Sequence, residues 1–153
     1  MIKVLFVCHG NICRSPMAEF VLKKMVADRG LSDIFHIESA ATSTEEIWNG
    51  IGNEVYPPAK AKLAENGISC EGKRARQTVK SDYSRFDYII GMDSNNLRNM
   101  KRIYGSDPEE KLSLMLDFTD RRGDVADPWY TGNFDATWRD VSDGCRGFLD
   151  KIL

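Results

Sequence analysis

The chain has 153 residues, enough for one domain with a sizeable core. Its 42% hydrophobic and 29% charged residues are those of an ordinary globular protein, and a net charge of −2 leaves no basic excess for nucleic acid or an anionic membrane surface. No apolar stretch is long enough to span a bilayer and Lys3 interrupts the N-terminal apolar run, so the four cysteines are expected to be free thiols in a reducing cytoplasm.

Ile2 to Val7 is an almost unbroken apolar run, the pattern of a strand covered on both faces. Ser15 is suited to cap a helix and Pro16 to open it. The apolar stripe Met17, Val21, Met25 then carries that helix to Arg29-Gly30. Ile34 to Ala40 predicts the next strand, Thr42 to Tyr56 a turn-rich segment, and Pro57 to Asn66 a helix stopped by Gly67. Phe86 to Met92 predicts a third strand, Asn95 to Tyr104 a helix, Leu112 to Leu116 a fourth strand, and Asp117 to Tyr130 a loop. Phe134, Trp138, Val141, Cys145, Phe148 and Ile152 recur at helical spacing, which makes Cys145 a core residue of a C-terminal helix.

Repeated strand–helix units predict a single α/β domain over residues 1–153, with a central four-stranded parallel sheet and helices on both faces. Ligands of such sheets bind at the carboxyl ends of the strands, and Cys8, Ser39 and Asp93 each fall at or just beyond such an end.

The most informative stretch is Cys8-His-Gly-Asn-Ile-Cys-Arg-Ser15, between the first strand and the first helix. A cysteine and an arginine separated by five residues, with Gly10 and Asn11 in the turn, make an anion cradle with a nucleophile at its floor. Backbone N–H groups and the positive end of the following helix favour a phosphoryl group and stabilise a thiolate. Arg14 adds a forked donor that matches phosphate oxygens. A bare Cys-x5-Arg also fits a strand-end core cysteine beside a surface arginine, but the strand, turn and helix start all fall in the order that the cradle needs. Only Cys8, His9 and Cys13 cluster, without paired metal-ligand spacing, so no metal or cofactor is expected.

Val7-Cys-His-Gly-Asn-Ile-Cys-Arg-Ser-Pro-Met-Ala-Glu19 resembles the signature of the low molecular weight protein tyrosine phosphatase family. Asp127-Pro-Trp-Tyr130 resembles that family's general-acid loop, and Ser39-Ala-Ala-Thr-Ser43 and Gly91-Met-Asp93 with Asn96-Leu97 fit as well, in the family's order along nearly the whole chain. The resemblance implies hydrolysis of phosphotyrosine on a protein or peptide, with inorganic phosphate as product. Cys8 would attack phosphorus, and the phosphocysteine would then be hydrolysed by water. Arg14 and the loop amides from His9 through Gly10, Asn11, Ile12 and Cys13 to Ser15 would hold the phosphoryl oxygens. Asp127 would protonate the leaving oxygen and later accept a proton from water.

Further roles are implied by the same resemblance. Asn11 would hold the loop in a strained shape, supported by Ser39 and Ser15, and Asp93 would orient Arg14; capping of strand ends is the alternative for Ser39 and Asp93. Cys13 would form a reversible disulfide with Cys8, or be a small buried residue. Trp48 would be the pocket-wall aromatic, or a tryptophan tucked into a surface loop, because Glu45 to Asn53 carries extra residues compared with the family. Lys73 stands where the family often has a histidine that supports the phosphate loop, so that support is expected to differ. The oligomeric state stays open, with a monomer as the expectation.

Three other activities fit the first motif. A phosphoarginine phosphatase would use the same loop, but by resemblance those enzymes have threonine at the position of Ile12. Ile12, Trp129 and Tyr130 instead suit a phenyl ring. An arsenate reductase would need a further pair of redox cysteines, which Cys70 and Cys145 do not form. A phosphate-binding module would need neither a nucleophile nor an acid.

Overall fold

The computed structural model describes residues 1–153. The elements are strand β1 (Ile2–Cys8), helix α1 (Arg14–Asp28), strand β2 (Phe35–Ala41), a small hairpin of β3 (Ile47–Trp48) and β4 (Ile51–Gly52), helices α2 (Pro57–Glu65) and α3 (Asp82–Arg85), strand β5 (Tyr88–Gly91), helix α4 (Ser94–Tyr104), strand β6 (Leu112–Leu114), and helices α5 (Pro128–Thr131) and α6 (Phe134–Ile152). Four strands form one parallel sheet in the order β2-β1-β5-β6.

The central strand β1 pairs on both sides, which explains its near-continuous apolar sequence. Val4 and Phe6 point into a core closed by α1, α2 and α6, while Leu5 and Val7 pack with Phe86, Ile89, Met100 and Tyr104 on the opposite face, beneath α4. Helices therefore cover both faces. The chain leaves β1 toward β2 on one side and later enters β5 on the other. The carboxyl end of β1 thus lies at a switch point of the sheet, where two loops diverge and leave a crevice.

Several boundaries differ from the sequence reading for identifiable reasons. Helix α1 begins at Arg14, and Ser15 lies inside its first turn rather than capping it, because its hydroxyl is engaged by Cys8 and Asn11. Strand β5 stops at Gly91 because the Met92 N–H donates to Asn96 Oδ1. Strand β6 stops at Leu114, whose N–H donates to Asp117 Oδ2 and turns the chain into a single 3-10 turn over Met115–Phe118. The turn-rich segment holds the β3–β4 hairpin, reversed by Asn49 and Gly50 at φ 50° and 78°. The loop before Tyr130 ends in α5, with Pro128 at its start and Asp127 capping it.

Candidate active site

Cys8 ends β1, and the loop to Arg14 wraps around its sulfur. The Asn11 N–H donates to Cys8 Sγ at 3.3 Å, and Ser15 Oγ lies 3.0 Å from the same sulfur. The N–H groups of His9, Gly10, Ile12 and Cys13 bond to no other atom of the protein, so the rim of the loop presents donors to whatever occupies the cavity. The loop keeps this shape through Asn11, which is buried at φ 61°. That left-handed backbone is one that asparagine tolerates better than most residues. Its Nδ2 donates to Ser15 Oγ (2.8 Å) and Ser39 Oγ (3.0 Å), and its Oδ1 accepts from the Arg76 N–H (3.2 Å).

A second layer sits below, where Lys73 supplies the altered support expected of it and Glu19 is its unanticipated partner. Ser39 Oγ donates to Glu19 Oε1 at 2.5 Å, and Glu19 also pairs with Lys73 (3.2 Å) and Lys23 (2.6 Å). Lys73 Nζ donates to the Ser39 carbonyl at 2.9 Å. Burial lowers the affinity of the Lys73 amine for its proton, and Glu19 offsets only part of that. The sequence signal for Glu19 is that it is a carboxylate next to the apolar stripe of α1.

Arg14 has a side chain only 3% exposed. Its Nη1 donates to Asp93 Oδ2 (2.7 Å) and to the Val125 carbonyl (2.9 Å), and its Nη2 lies 3.5 Å from Asp127 Oδ2. Burial works against the charge, yet the negative groups at Cys8, Asp93 and Asp127 hold the guanidinium's pKa above its ordinary value. Asp93 thus bonds Arg14 with one oxygen and, rather than closing a strand end, caps helix α4 with the other, which accepts from the Asn96 N–H at 2.8 Å. Burial, and then the charge of Cys8, push the Cys13 thiol up to about 12, so Cys13 stays protonated at neutral pH. All four cysteines are free thiols.

Asp127 arrives on the loop that leads into α5, its Oδ1 accepting from the Trp129 N–H at 3.1 Å. Trp129 leans on Tyr56 with ring centroids 4.7 Å apart, and the Tyr56 N–H is tied to the Ile12 carbonyl at 2.9 Å, so the acid loop and the phosphate loop share one support. The result is a cavity of about 150 Å³ lined by Cys8, Ile12, Arg14, Asp127, Trp129 and Tyr130, together with His9, Gly10, Cys13, Glu45 and Glu46. Asn11, Ser15, Ser39 and Asp93 stand behind that lining.

Trp48 is a correction. It does not line the cavity but lies 71% exposed on the hairpin, and Glu45 and Glu46 form that wall instead. The extra residues of this segment close into a hairpin that carries the tryptophan outward. Glu45 bonds His9 Nε2 at 2.8 Å, and the Glu46 side chain packs 3.2 Å from where a Cβ on Gly10 would sit.

A sheet of this order, with a cysteine-and-arginine loop after its first strand and an aspartate poised above, defines a class of phosphoryl-transfer catalysts, and the comparisons narrow it. The family model for low molecular weight phosphotyrosine protein phosphatase matches residues 3–153. The low molecular weight protein-tyrosine-phosphatase YfkJ of Bacillus subtilis is 38% identical, over 99% of this chain and 96% of its own. Its crystal structure superposes with a TM-score of 0.93 over 99% of this chain and 94% of that one. The low molecular weight protein tyrosine phosphatase of Streptococcus pyogenes is 42% identical, with a TM-score of 0.87 over 100% of this chain and 94% of that one. The Drosophila arginine phosphatase is 30% identical, with a TM-score of 0.87 over 98% and 97%. The chain belongs to the low molecular weight phosphotyrosine protein phosphatase family.

Proposed function

We propose that this protein hydrolyses phosphotyrosine in proteins or peptides through a phosphocysteine intermediate. The observation that carries the proposal is the convergence of Cys8, Arg14 and Asp127 on one small cavity whose floor is ringed by unpaired N–H donors. In the first step Cys8 Sγ attacks phosphorus and the bond to the phenolic oxygen breaks, with Asp127 delivering the proton to that oxygen. The loop amides and Arg14 carry the charge that builds on the equatorial oxygens. Arg14 is suited to this because Asp93 and the Val125 carbonyl hold one end of its fork, leaving Nη2 nearer Asp127. In the second step Asp127 takes a proton from water, which attacks the phosphocysteine and releases inorganic phosphate.

The chemistry requires no cofactor or metal, because the cradle itself supplies the positive charge. The same reading makes residues 1–153 one domain that acts as a cytoplasmic monomer. The match over residues 3–153 supports the domain assignment, and no helix is long and apolar enough to cross a membrane.

A second reading, removal of phosphate from phosphoarginine, draws on the resemblance to the Drosophila arginine phosphatase and on Glu45 and Glu46, which could face a guanidinium. Ile12, Trp129 and Tyr130 favour the phenyl ring. Measuring kcat/KM for a phosphotyrosine peptide and a phosphoarginine peptide side by side, without added metal, separates the two. Preference for phosphotyrosine, abolished by Cys8→Ser, is expected. Preference for phosphoarginine would keep the nucleophile and overturn the substrate, and activity surviving in Cys8→Ser would overturn the mechanism.

A further inference from the structure

We infer that the β3–β4 hairpin is a docking surface for the polypeptide that carries the phosphotyrosine, taking an apolar side chain of the substrate on Trp48 and Ile51 and a basic one at Glu45. This rests on the phosphatase reading and extends it to the flanking sequence of the substrate.

Trp48 and Ile51 are cross-strand partners and therefore share one face of the hairpin. The other face belongs to Ile47, packed on the core, and to Gly52. Alternation thus turns Ile47 inward and leaves Trp48 and Ile51 at 71% and 62% exposure. Scattered apolar residues on a surface are ordinary, but this pair sits together on a firmly held support. The Asn53 N–H donates to the Glu46 carbonyl (2.8 Å), the Ala75 N–H to the Asn53 carbonyl (2.9 Å), and Arg74 Nη1 to the Gly52 carbonyl (3.0 Å). Gly52 lies so close to the Ala75 backbone that any side chain there would collide with it. A preorganised surface loses little entropy when it binds.

Its position selects the occupant. Glu46 lines the cavity and stands two residues before Trp48, so the hairpin that carries the apolar face rises directly from the rim of the phosphate site. A cavity of about 150 Å³ has room for little more than an aromatic ring and its phosphate. Residues on either side of the tyrosine must therefore cross the rim. On this side the rim carries Glu45, whose Oε2 bonds His9 while its side chain stays 70% exposed, and Glu46, negative charges that gain nothing from the phosphate and attract a basic neighbour. A polypeptide with arginine or lysine and a large apolar residue beside the phosphotyrosine meets both features.

The test compares wild type with the Trp48→Ala/Ile51→Ala double variant on three substrates. These are p-nitrophenyl phosphate, a phosphotyrosine peptide flanked by arginine and leucine, and the same peptide flanked by serine and glycine. Expected are unchanged kinetics on p-nitrophenyl phosphate, about a tenfold rise in KM with little change in kcat on the arginine–leucine peptide, and a much smaller change on the serine–glycine peptide. Ile51→Lys, which places a cation on the same face, should reverse the preference for arginine. Equal KM for the two peptides in wild type, or no KM change in the double variant, would overturn docking alone while activity on p-nitrophenyl phosphate persists. So would a dimer that the double variant dissociates in sedimentation with peptide kinetics unaltered, which would assign this face to a second copy of the chain. A wild-type protein inactive on p-nitrophenyl phosphate would overturn the phosphatase reading and docking together.

Discussion

Asn11→Ala isolates the device that holds the phosphate loop in shape. The substitution removes three hydrogen bonds of a buried side chain, to Ser15, Ser39 and the Arg76 N–H. At about 1 kcal/mol each they sum to about 3 kcal/mol. Alanine at φ 61° adds about 1 kcal/mol because its Cβ crowds the backbone in the left-handed region. The expected loss of about 4 kcal/mol is within the stability of a typical domain, so the variant should fold, with Tm lower by roughly 8–16 °C for a chain of this size. Asn11→Gly makes the same three deletions but relieves the backbone term, and should recover about 1 kcal/mol. Urea titration followed by tryptophan fluorescence gives the stabilities, and kcat/KM on a phosphotyrosine peptide gives the function. Both variants should lose activity to a similar extent, because the hydrogen bonds and not φ alone align the loop with Cys8. An alanine variant within 1 kcal/mol of wild type, or a glycine variant with wild-type kcat/KM, would refute the reasoning.

Asp127→Asn should lower kcat by roughly 10²–10⁴ on phosphotyrosine, the usual contribution of a positioned acid. The loss should shrink on esters whose leaving oxygen needs no proton, and a loss independent of the leaving group would deny Asp127 that role. Asp82 predicts a pH effect on stability. Burial opposes its charge, but donors from the Val79 N–H, Thr78 and Arg76 outweigh that and hold its carboxyl below the usual range. The stabilisation is then fully present above about pH 4, the ordinary value for aspartate, and disappears as pH falls through the lower folded-state value. Unfolding of Asp82→Asn followed from pH 7 to pH 2 should show a constant deficit at neutral pH that narrows only in acid. A deficit independent of pH would contradict it.

The sequence alone determined the order of the units and the reactive centre. The unbroken apolar run of β1 marks a strand with neighbours on both sides, and the stripe of α6 marks a helix with one buried face. The run from Cys8 to Ser15 is local: nucleophile, turn, arginine and helix start adjoin one another, so their chemistry is written in consecutive residues. Properties that depend on groups distant in sequence were decided by tertiary structure. Ser15 looks like a cap by propensity, yet two side chains engage its hydroxyl and the helix begins at Arg14, two residues before Pro16. Glu19 and Lys73 meet 54 residues apart beneath Ser39, and no local pattern announces that pairing. Trp48 has the composition of a pocket wall, but side chains alternate along its strand, and Ile47 took the inward position. Propensity and periodicity act over a few residues, whereas burial and hydrogen-bond competition are settled only when the sheet brings the ends of β1, β2 and β5 together.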